Sequence, residues 1–299
     1  MDRLDSMRVL VQIVEAGSLS AAARASGMPL ATVSRKLSEL EAHIKTRLVI
    51  RSTRQLTLTD AGRAYVATCK RILEDIEQAE RLAAGEYTAP KGDLVVTAPI
   101  VFGRMHVLPI IAEFLKAYPE INVRLVLGDR WINLLEDHVD LAVRIGELPD
   151  SSLIATRIGE TRLMVCGSPS YLARHGRPMH PNELGGHACI TFEGLMSSTQ
   201  WVFAEGKTVL SIPVHSRLVV STAEAAIDAA VADLGVTRVI AYQVAGRCRE
   251  GTLESVLQDF ESNTLPINML HAGQGRLPLK VRAFIDFTRP RLRTRLLEG

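Results

Sequence analysis

Residues 17–40 most constrain the fold of this chain, because they predict two short helices joined by a glycine turn. The first helix, within residues 18–25, is built of small side chains that allow another helix to approach closely. Gly27 supplies the turn, and Pro29 suits the first position of the second helix. Apolar residues recur in that second helix at spacings of three and four, which predicts one buried face. They are Leu30, Val33, Leu37 and Leu40.

The polar residues of the second helix lie off this apolar stripe, close to the N-terminal end. They are Thr32, Ser34, Arg35, Lys36 and Ser38. Short hydroxyl and cationic side chains are the types that contact phosphates and base edges. The pattern therefore predicts a helix-turn-helix that places its second helix in a DNA groove.

Positive charge is concentrated in the same part of the chain. Between Arg24 and Arg63 there are eight Lys or Arg and three acidic residues, whereas the whole chain of 299 residues has a formal net charge of +2. Such asymmetry is typical of a nucleic-acid-binding surface, and a merely solvated basic face is the alternative. Four arginines at 289, 291, 293 and 295 predict a solvated tail, with further phosphate contacts as the alternative.

The segments around the helix pair complete a winged unit. An apolar stripe over residues 4–16 predicts a third helix, and residues 47–59 predict a β-hairpin wing with a basic tip. Thr59 can cap a following helix that runs to about residue 84. This helix has a heptad-like seam, which favours pairing with a second helix over packing on its own domain. The seam consists of Ala61, Tyr65, Thr68, Ile72, Ile76, Ala79 and Ala83.

The pattern changes after a linker-like segment at residues 85–92. Beyond it, short apolar strands alternate with amphipathic helices, which predicts a mostly parallel α/β sheet in two lobes. Strands are predicted at 94–98, 121–127, 139–143, 163–166, around 190, 209–214 and 236–240, and helices at 106–118, from 168 and at 222–234. We predict three parts: a DNA-binding domain (1–59), a dimerisation helix and hinge (60–91), and an effector domain (92–299).

Sequence motifs of several other protein classes are missing. There is no Gly-x-Ser-x-Gly, phosphate-binding loop, Gly-x-Gly-x-x-Gly or His-Glu-x-x-His motif, so we expect neither catalytic residues nor a cofactor. An enzyme acting on a metabolite and a dimeric module that does not bind DNA are the alternative functions.

The cysteines and histidines point to neither a redox nor a metal site. His175 and His180 have poor ligand spacing, so we expect no metal. The cysteines at 69, 166, 189 and 248 are widely spaced, which favours buried structural thiols over a redox pair. No apolar run spans a bilayer and no secretory leader is evident, which predicts a cytoplasmic protein without membrane contact.

Several motifs match a known family. They include Glu15, Gly17-Ser18-Leu19, Ala21-Ala22-Ala23, Val33-Ser34-Arg35, Leu40-Glu41, Arg47-Leu48, Arg51 with Arg54, Leu58-Thr59-x-Ala61-Gly62, the segment 139–146 and the segment 167–172. In these motifs the chain resembles the LysR-type bacterial transcriptional regulators over essentially its full length. The resemblance implies a winged helix-turn-helix, a dimerising linker helix and a two-lobed α/β effector domain like that of a periplasmic binding protein. The implied partners are operator DNA, a small-molecule effector and further copies of the chain, in a homodimer or homotetramer formed through residues 60–84 and the effector domain.

The resemblance also implies which residues contact DNA. Ser34 and Arg35 match recognition-helix positions that meet the major groove, and Arg51 and Arg54 match the wing. The full predicted set is Ser18, Pro29, Leu30, Thr32, Ser34, Arg35, Lys36, Arg51, Arg54 and Gln55. Pro29-Leu30-Ala31 replaces a Ser-Gln-Pro that many members have, so Leu30 either contacts a thymine methyl group or packs internally. Lys45 replaces a common glycine, which affects the helix end.

In the family the effector lies between the lobes. One end of this cleft is near the N-terminus of the helix that follows the first strand. There Ile100, Val101 and Phe102 predict that the edge of the cleft is apolar. Arg144 either pairs with an effector carboxylate or is a structural ion-pair partner. Thr222 is a second candidate, with an N-cap role as the alternative. Trp201 and Arg238 are predicted to line the cleft.

Overall fold

The computed structural model describes residues 2–51, 56–83, 89–130, 134, 137–149, 153–192, 199–261, 264–272 and 277–298. Within these ranges, the side chains of residues 51, 75, 78, 81–83, 297 and 298 are not described. The chain divides into two compact units, Met1–Ala89 and Pro90–Gly299.

The first unit contains three helices followed by a hairpin and a long helix. They are α1 (Arg3–Ala16), α2 (Leu19–Ser26), α3 (Leu30–Ile44), β1 (Val49–Arg51), β2 (Leu56–Leu58) and α4 (Asp60–Ala83). Ser18 caps α2 by accepting a hydrogen bond from the Ala21 N–H at 3.1 Å. Gly27 ends α2 in the left-handed region, with φ +66°, a conformation that glycine adopts without a Cβ clash. The predicted helix-turn-helix and antiparallel wing are confirmed.

The core of this unit corrects one prediction about the apolar stripe of α3. Val33, Leu37 and Leu40 are buried against α1, but Leu30 is 49% exposed. Leu30 is the first residue of α3, and Pro29 lies one position before the helix as its N-cap. The side chain therefore projects at the free end of the helix, beyond the reach of the core.

Helix α4 has two different faces. Val66, Cys69 and Leu73 are buried in the core of the first unit. The predicted seam lies on another face, where Ile72 is 36% exposed, Ala61 and Ala79 are exposed, and Tyr65 and Ile76 are half-buried. One face of α4, together with Tyr65, thus packs on its own domain, and pairing of the remaining seam with a second helix stays a prediction.

The second unit is a two-lobed α/β structure. Its strands are β3 (Gly92–Ala98), β4 (Ile121–Leu127), β5 (Leu141–Ile145), β6 (Leu153–Gly167), β7 (Cys189–Phe192), β8 (Gln200–Glu205), β9 (Thr208–Pro213), β10 (Ser216–Val220), β11 (Val236–Ile240), β12 (Glu254–Val256) and β13 (Thr264–Ala272). Its helices are α5 (Ile100–Phe102), a π-helical turn (Gly103–Val107), α6 (Leu108–Ala117), α7 (Pro169–His175), α8 (Ala223–Val231), α9 (Ala241–Arg249) and α10 (Leu279–Glu298), with 3-10 turns at Pro181–Gly186 and Gln258–Phe260.

The long strand β6 connects the two lobes. Residues 153–162 of β6 pair with β13 in the first lobe, which also contains β3, β4 and β5. Residues 163–167 pair with β11 and β12 in the second lobe, beside β7 and β10. The sheet is therefore mixed and not mostly parallel as predicted. The parallel pairs lie within the lobes, whereas every described pairing of β6 and β13 is antiparallel.

The C-terminal arginines belong to helix α10, not to a solvated tail. Phe284 and Leu292 of this helix are fully buried in the core of the first lobe. Arg291 pairs with Glu113 of α6 at 3.2 Å and stacks on the Phe287 ring. In the described residues, none of the helices is long and apolar enough to cross a membrane.

Candidate DNA-binding surface and effector site

The N-terminal half of α3 presents an open face. The side chain of Arg35 is 70% exposed, and its ion pair with Glu39 one turn later is long, at 3.9 Å. An exposed pair of this kind contributes little to stability and is readily exchanged for another anion. Leu30 is exposed beside it, while Thr32 and Ser34 are half-buried. The structure thus brings Pro29, Leu30, Thr32, Ser34 and Arg35 together at one helix end.

Two residues of the predicted DNA-binding set have partners inside the first unit. Lys36 forms an ion pair with Asp5 of α1 and is only 20% exposed in its side chain. It therefore holds α3 against α1. Ser18 uses its hydroxyl oxygen to cap α2. The structure gives both side chains a role in positioning the helices.

The wing is described only in part. Arg51 ends β1, in register with Leu56 of β2, and its side chain lies outside the described residues. Arg54 and Gln55 lie entirely outside them. Their contact with DNA stays a prediction.

On the effector side, the first-lobe helix begins at Ile100, directly after β3. The Ile100 N–H donates to the Asp129 carboxylate at 3.0 Å, so this helix N-terminus already has an anionic partner. Val101 and Phe102 are buried, at 5% and 0% exposure, and Ile100 is half-buried. Of the three residues predicted to form an apolar edge, only Ile100 therefore has appreciable exposed surface.

Arg144 is buried on β5 and incompletely paired. It is 5% exposed, and its three hydrogen bonds, to the carbonyls of Gly128 and Val143 and to Thr97 Oγ1, are all 3.4 Å long. Its Nε has no partner among the described residues. Burial lowers the pKa of Arg144, and the nearby negative charge of Asp129 opposes this shift. No ion pair of Arg144 is found within the described ranges, and Asp129 is the nearby charge that acts on it.

Two aromatic residues that pack together across the two lobes were not predicted from the sequence. Tyr242, at the start of α9, lies 5.6 Å from the Phe102 ring and 5.4 Å from the His106 ring. Tyr242 Oη and His106 Nε2 are buried, and neither has a partner in the described part of the chain. Burial, then Asp129, raises the pKa of Tyr242, while burial lowers that of His106. Only the tertiary fold brings α9 of the second lobe to the π-helical turn of the first.

Another contact joins the same two lobes. Arg104, in the π-helical turn, pairs at 3.0 Å with Glu224 in the first turn of α8. Both side chains are partly exposed, and Glu224 lies two residues after Thr222. Thr222 itself caps α8 by accepting from the Ala225 N–H at 3.3 Å, which is the alternative role considered for it.

The two remaining predicted effector residues lie inside the second lobe. Trp201 is 2% exposed in a core that includes Phe203 and Ile212. Arg238 makes a bidentate pair with Glu261, with both N–O distances 2.6 Å, and donates to the Val202 carbonyl at 2.6 Å. Its guanidinium also lies over the Phe203 ring. Because Trp201 is buried and the short contacts of Arg238 lie inside the lobe, we correct the prediction that these two residues line an effector cleft.

The thiols and histidines have structural surroundings. All four cysteines are free thiols. Burial raises the pKa of Cys69 to about 11 and those of Cys166 and Cys189 to about 12. His175 stacks on Tyr171, and His180 caps a 3-10 turn. Across the described ranges, no group of three potential ligands is arranged to hold a metal ion.

Comparison with known families accounts for both units. Residues 4–63 match the profile described as "Bacterial regulatory helix-turn-helix protein, lysR family", and residues 88–293 match the "LysR substrate binding domain". The chain belongs to the LysR family of transcriptional regulators. As a member, it is a DNA-binding transcription regulator with an effector-binding domain, and its relatives are regulators and not enzymes.

Relatives and solved structures cover nearly the whole chain. An HTH-type transcriptional regulator of Xanthomonas campestris is 34% identical over 293 residues, which is 97% of this chain and 85% of the relative. The HTH-type transcriptional activator AaeR of Escherichia coli is 31% identical over 96% of this chain and 93% of its own. The structure of CrgA from Neisseria meningitidis is similar with a TM-score of 0.62 and 32% identity, covering 96% of this chain and 98% of that one.

LysR-type regulators bind DNA and small-molecule effectors and form oligomers. The LysR-type regulator therefore has the partners that the sequence motifs imply.

Proposed function

We propose that the LysR-type regulator reads its operator with the exposed N-terminal face of α3. The observation that carries this proposal is the solvent exposure of Leu30 and Arg35 beside a fully buried Val33. Arg35 suits the acceptor atoms of guanine, and Thr32 and Ser34 suit either base edges or phosphates. Leu30 supplies an apolar contact for a thymine methyl group, since it packs on no core. Pro29, at the N-cap of α3, places the backbone of this helix end close to the DNA. The wing residues Arg51, Arg54 and Gln55 approach the phosphates or the minor groove.

A test for Leu30 uses a duplex that the wild-type protein selects from a random pool. Each thymine of that duplex is replaced in turn by deoxyuridine, which removes only the methyl group. One such replacement should weaken binding of wild-type protein several-fold and leave binding of Leu30→Ala unchanged. If no replacement distinguishes the two proteins, the assigned role of Leu30 is wrong. Protection of two half-sites one or two helical turns apart would support reading by a dimer.

We further propose that the effector is a small anionic molecule bound near Arg144, between the two lobes. An arginine that is 5% exposed and holds only 3.4 Å contacts has unused hydrogen-bonding capacity. A carboxylate would satisfy it with shorter, charge-assisted bonds. The Tyr242 hydroxyl and His106 Nε2, which lack a partner among the described residues, are further polar groups at the contact between the lobes that this proposal makes available to the effector. Ile100 forms the apolar edge of this proposed site.

The uncovered face of α4 supports a proposal for assembly. Ile72, Ile76 and Ala79 keep the predicted seam available for a second copy of α4, while Val66, Cys69 and Leu73 hold the helix to its own domain. Ile72→Glu should then lower the oligomeric state in sedimentation experiments, whereas Glu77→Gln should not.

We place the protein in the cytoplasm, because a regulator shares the compartment of its DNA. The boundaries at 59/60 and 91/92 remain our proposed division of the chain.

A further inference from the structure

Glu41 connects the recognition helix to the wing. It lies in the last turn of α3, and its Oε1 accepts hydrogen bonds from the Leu48 N–H at 2.8 Å and the Val49 N–H at 3.1 Å. Val49 is the first residue of β1. This one carboxylate oxygen therefore binds the backbone at the start of the wing. Hydrogen bonds from N–H groups to an ionised carboxylate are stronger than bonds between neutral groups.

The same peptide segment is also tied to β2 and to α4. The Leu48 carbonyl accepts from the Thr59 N–H at 3.0 Å, and Thr59 Oγ1 donates to the Arg47 carbonyl at 2.8 Å. Thr59 Oγ1 in turn accepts from the Gly62 N–H at 2.9 Å. A Cβ at Gly62 would overlap the Leu48 carbonyl oxygen, so α4 lies directly on this segment. Residues 47–49 therefore form a junction of α3, the wing and α4.

The position of Glu41 opposes the helix dipole. The C-terminal end of a helix carries partial negative charge, which disfavours an acidic side chain in the last turn. It also lies near a surface proposed to bind polyanionic DNA. The local helix dipole therefore does not favour a carboxylate there, although the surrounding segment of the chain is basic. The two backbone hydrogen bonds to the wing are the compensating interactions that the structure shows.

We propose that Glu41 is a positioning residue for DNA binding, which fixes the wing relative to the recognition helix so that both contact one duplex together. This inference rests on the proposed contacts of Arg35 and Arg51 with DNA. The inference predicts that removing the Glu41 carboxylate weakens DNA binding. Simple electrostatics predicts the opposite, because removing a negative charge near DNA should strengthen binding.

The experiment measures affinity of the full-length protein for a duplex selected by the wild type. Glu41→Gln and Glu41→Ala should weaken binding at least about tenfold. Glu39→Gln removes the same charge from the same helix without touching the wing, and should leave binding equal or tighter. Thermal unfolding of each variant checks that the fold is retained. Amide exchange at Leu48 and Val49 should speed up in the Glu41 variants and stay slow in Glu39→Gln.

A double-mutant cycle with Arg51→Ala tests the mechanism. If Glu41 positions the wing, Arg51→Ala should weaken wild-type binding several-fold and Glu41→Gln binding much less. Equal losses in both backgrounds would overturn the proposal, as would wild-type affinity in Glu41→Ala. No effect of Arg51→Ala in the wild type would instead reject the proposed wing contact. The affinity of Glu41→Ala and the exchange at Leu48 would then decide the role of Glu41 alone.

Discussion

Among the described residues, each lobe of the effector domain contains one buried arginine on a central strand, and the surroundings of these arginines differ. Arg144 on β5 and Arg238 on β11 are both 5% exposed. Arg238 has a carboxylate, a carbonyl and an aromatic ring as partners, with N–O distances of 2.6 Å. Arg144 has only 3.4 Å contacts and an unpartnered Nε in the described ranges.

This difference separates a structural cation from a candidate binding group. A guanidinium whose Nε and one terminal nitrogen are engaged at 2.6 Å has less to offer a ligand, whereas one with poor contacts gains when a ligand supplies oxygen atoms. The same distinction applies in α3, where Lys36 is paired with Asp5 and Arg35 is exposed with a long pair to Glu39. Arg35 and Lys36 are adjacent and carry the same charge, yet only Arg35 is available to bind a partner such as DNA.

The largest effect is expected on removing Arg238. Arg238→Met should leave the Glu261 carboxylate buried without its partner and lower the free energy of unfolding by about 3–5 kcal/mol. Urea unfolding of the full-length protein, followed by circular dichroism, measures this loss. The double variant Arg238→Met/Glu261→Leu should recover most of it, because no unpaired charge then remains. If the free energy of unfolding of the single variant falls by less than about 1 kcal/mol, Arg238 is not the structural cation that the comparison with Arg144 makes it.

The next effect concerns DNA. Arg35→Ala should weaken binding to the selected duplex by about 1–3 kcal/mol, as expected for a base contact. Lys36→Met should weaken it far less, because the Lys36 side chain is engaged with Asp5 and shielded from solvent. Titrations at two salt concentrations compare the variants. If Arg35→Ala and Lys36→Met lose specific binding equally, the solvent exposure of these side chains in the structure does not indicate which of them contacts DNA.

Arg144 should have a smaller effect on stability and a clear effect on ligand response. Arg144→Met should change the free energy of unfolding by less than about 1 kcal/mol, because it removes a poorly paired buried cation. Small carboxylates should raise the thermal midpoint of the wild-type protein and not that of Arg144→Met. Arg124→Met, on an exposed position of β4, is the matched control and should respond like the wild type. A retained response in Arg144→Met would place the anion elsewhere.

The smallest effect is expected from the thiols of the second lobe. Burial raises the pKa values of Cys166 and Cys189 to about 12, so both remain protonated thiols in the native protein at pH 8. Alkylation of these thiols should be at least about 100-fold slower than in urea, since it must wait for opening of the core. Mass spectrometry of digested samples measures each site. Rapid alkylation of native Cys166 would indicate a reactive thiol and revive the redox alternative.

Sequence periodicity predicted the helix-turn-helix because its determinants are local. Ser18 caps a helix through a residue three positions away, Gly27 adopts its left-handed φ within the turn, and Val33, Leu37 and Leu40 share one face by helical spacing. The sequence left open whether Leu30 packs internally or faces DNA, because the pattern shows that a residue falls on a stripe and does not show where the helix begins.

Long-range pairing could not be predicted from such patterns. Strand β6 lies in both lobes, and α10 returns from the end of the chain to bury Phe284 and Leu292 in the first lobe. Tyr242 meets His106 although more than a hundred residues separate them. These contacts depend on how the whole chain folds back, which no local spacing encodes.

The sequence by itself determined the family, the winged helix-turn-helix, the α/β class of the effector domain and the residue types available for DNA and effector. Only the tertiary structure decided which of those residues are available. Arg238 and Lys36 have close ion-pair partners and Trp201 is buried in a core, whereas within the described residues Arg144 has an unpartnered Nε and Arg35 has only a long ion pair. The physical reason is that side-chain chemistry is a local property, while burial and hydrogen-bond saturation depend on neighbours that are distant in the chain.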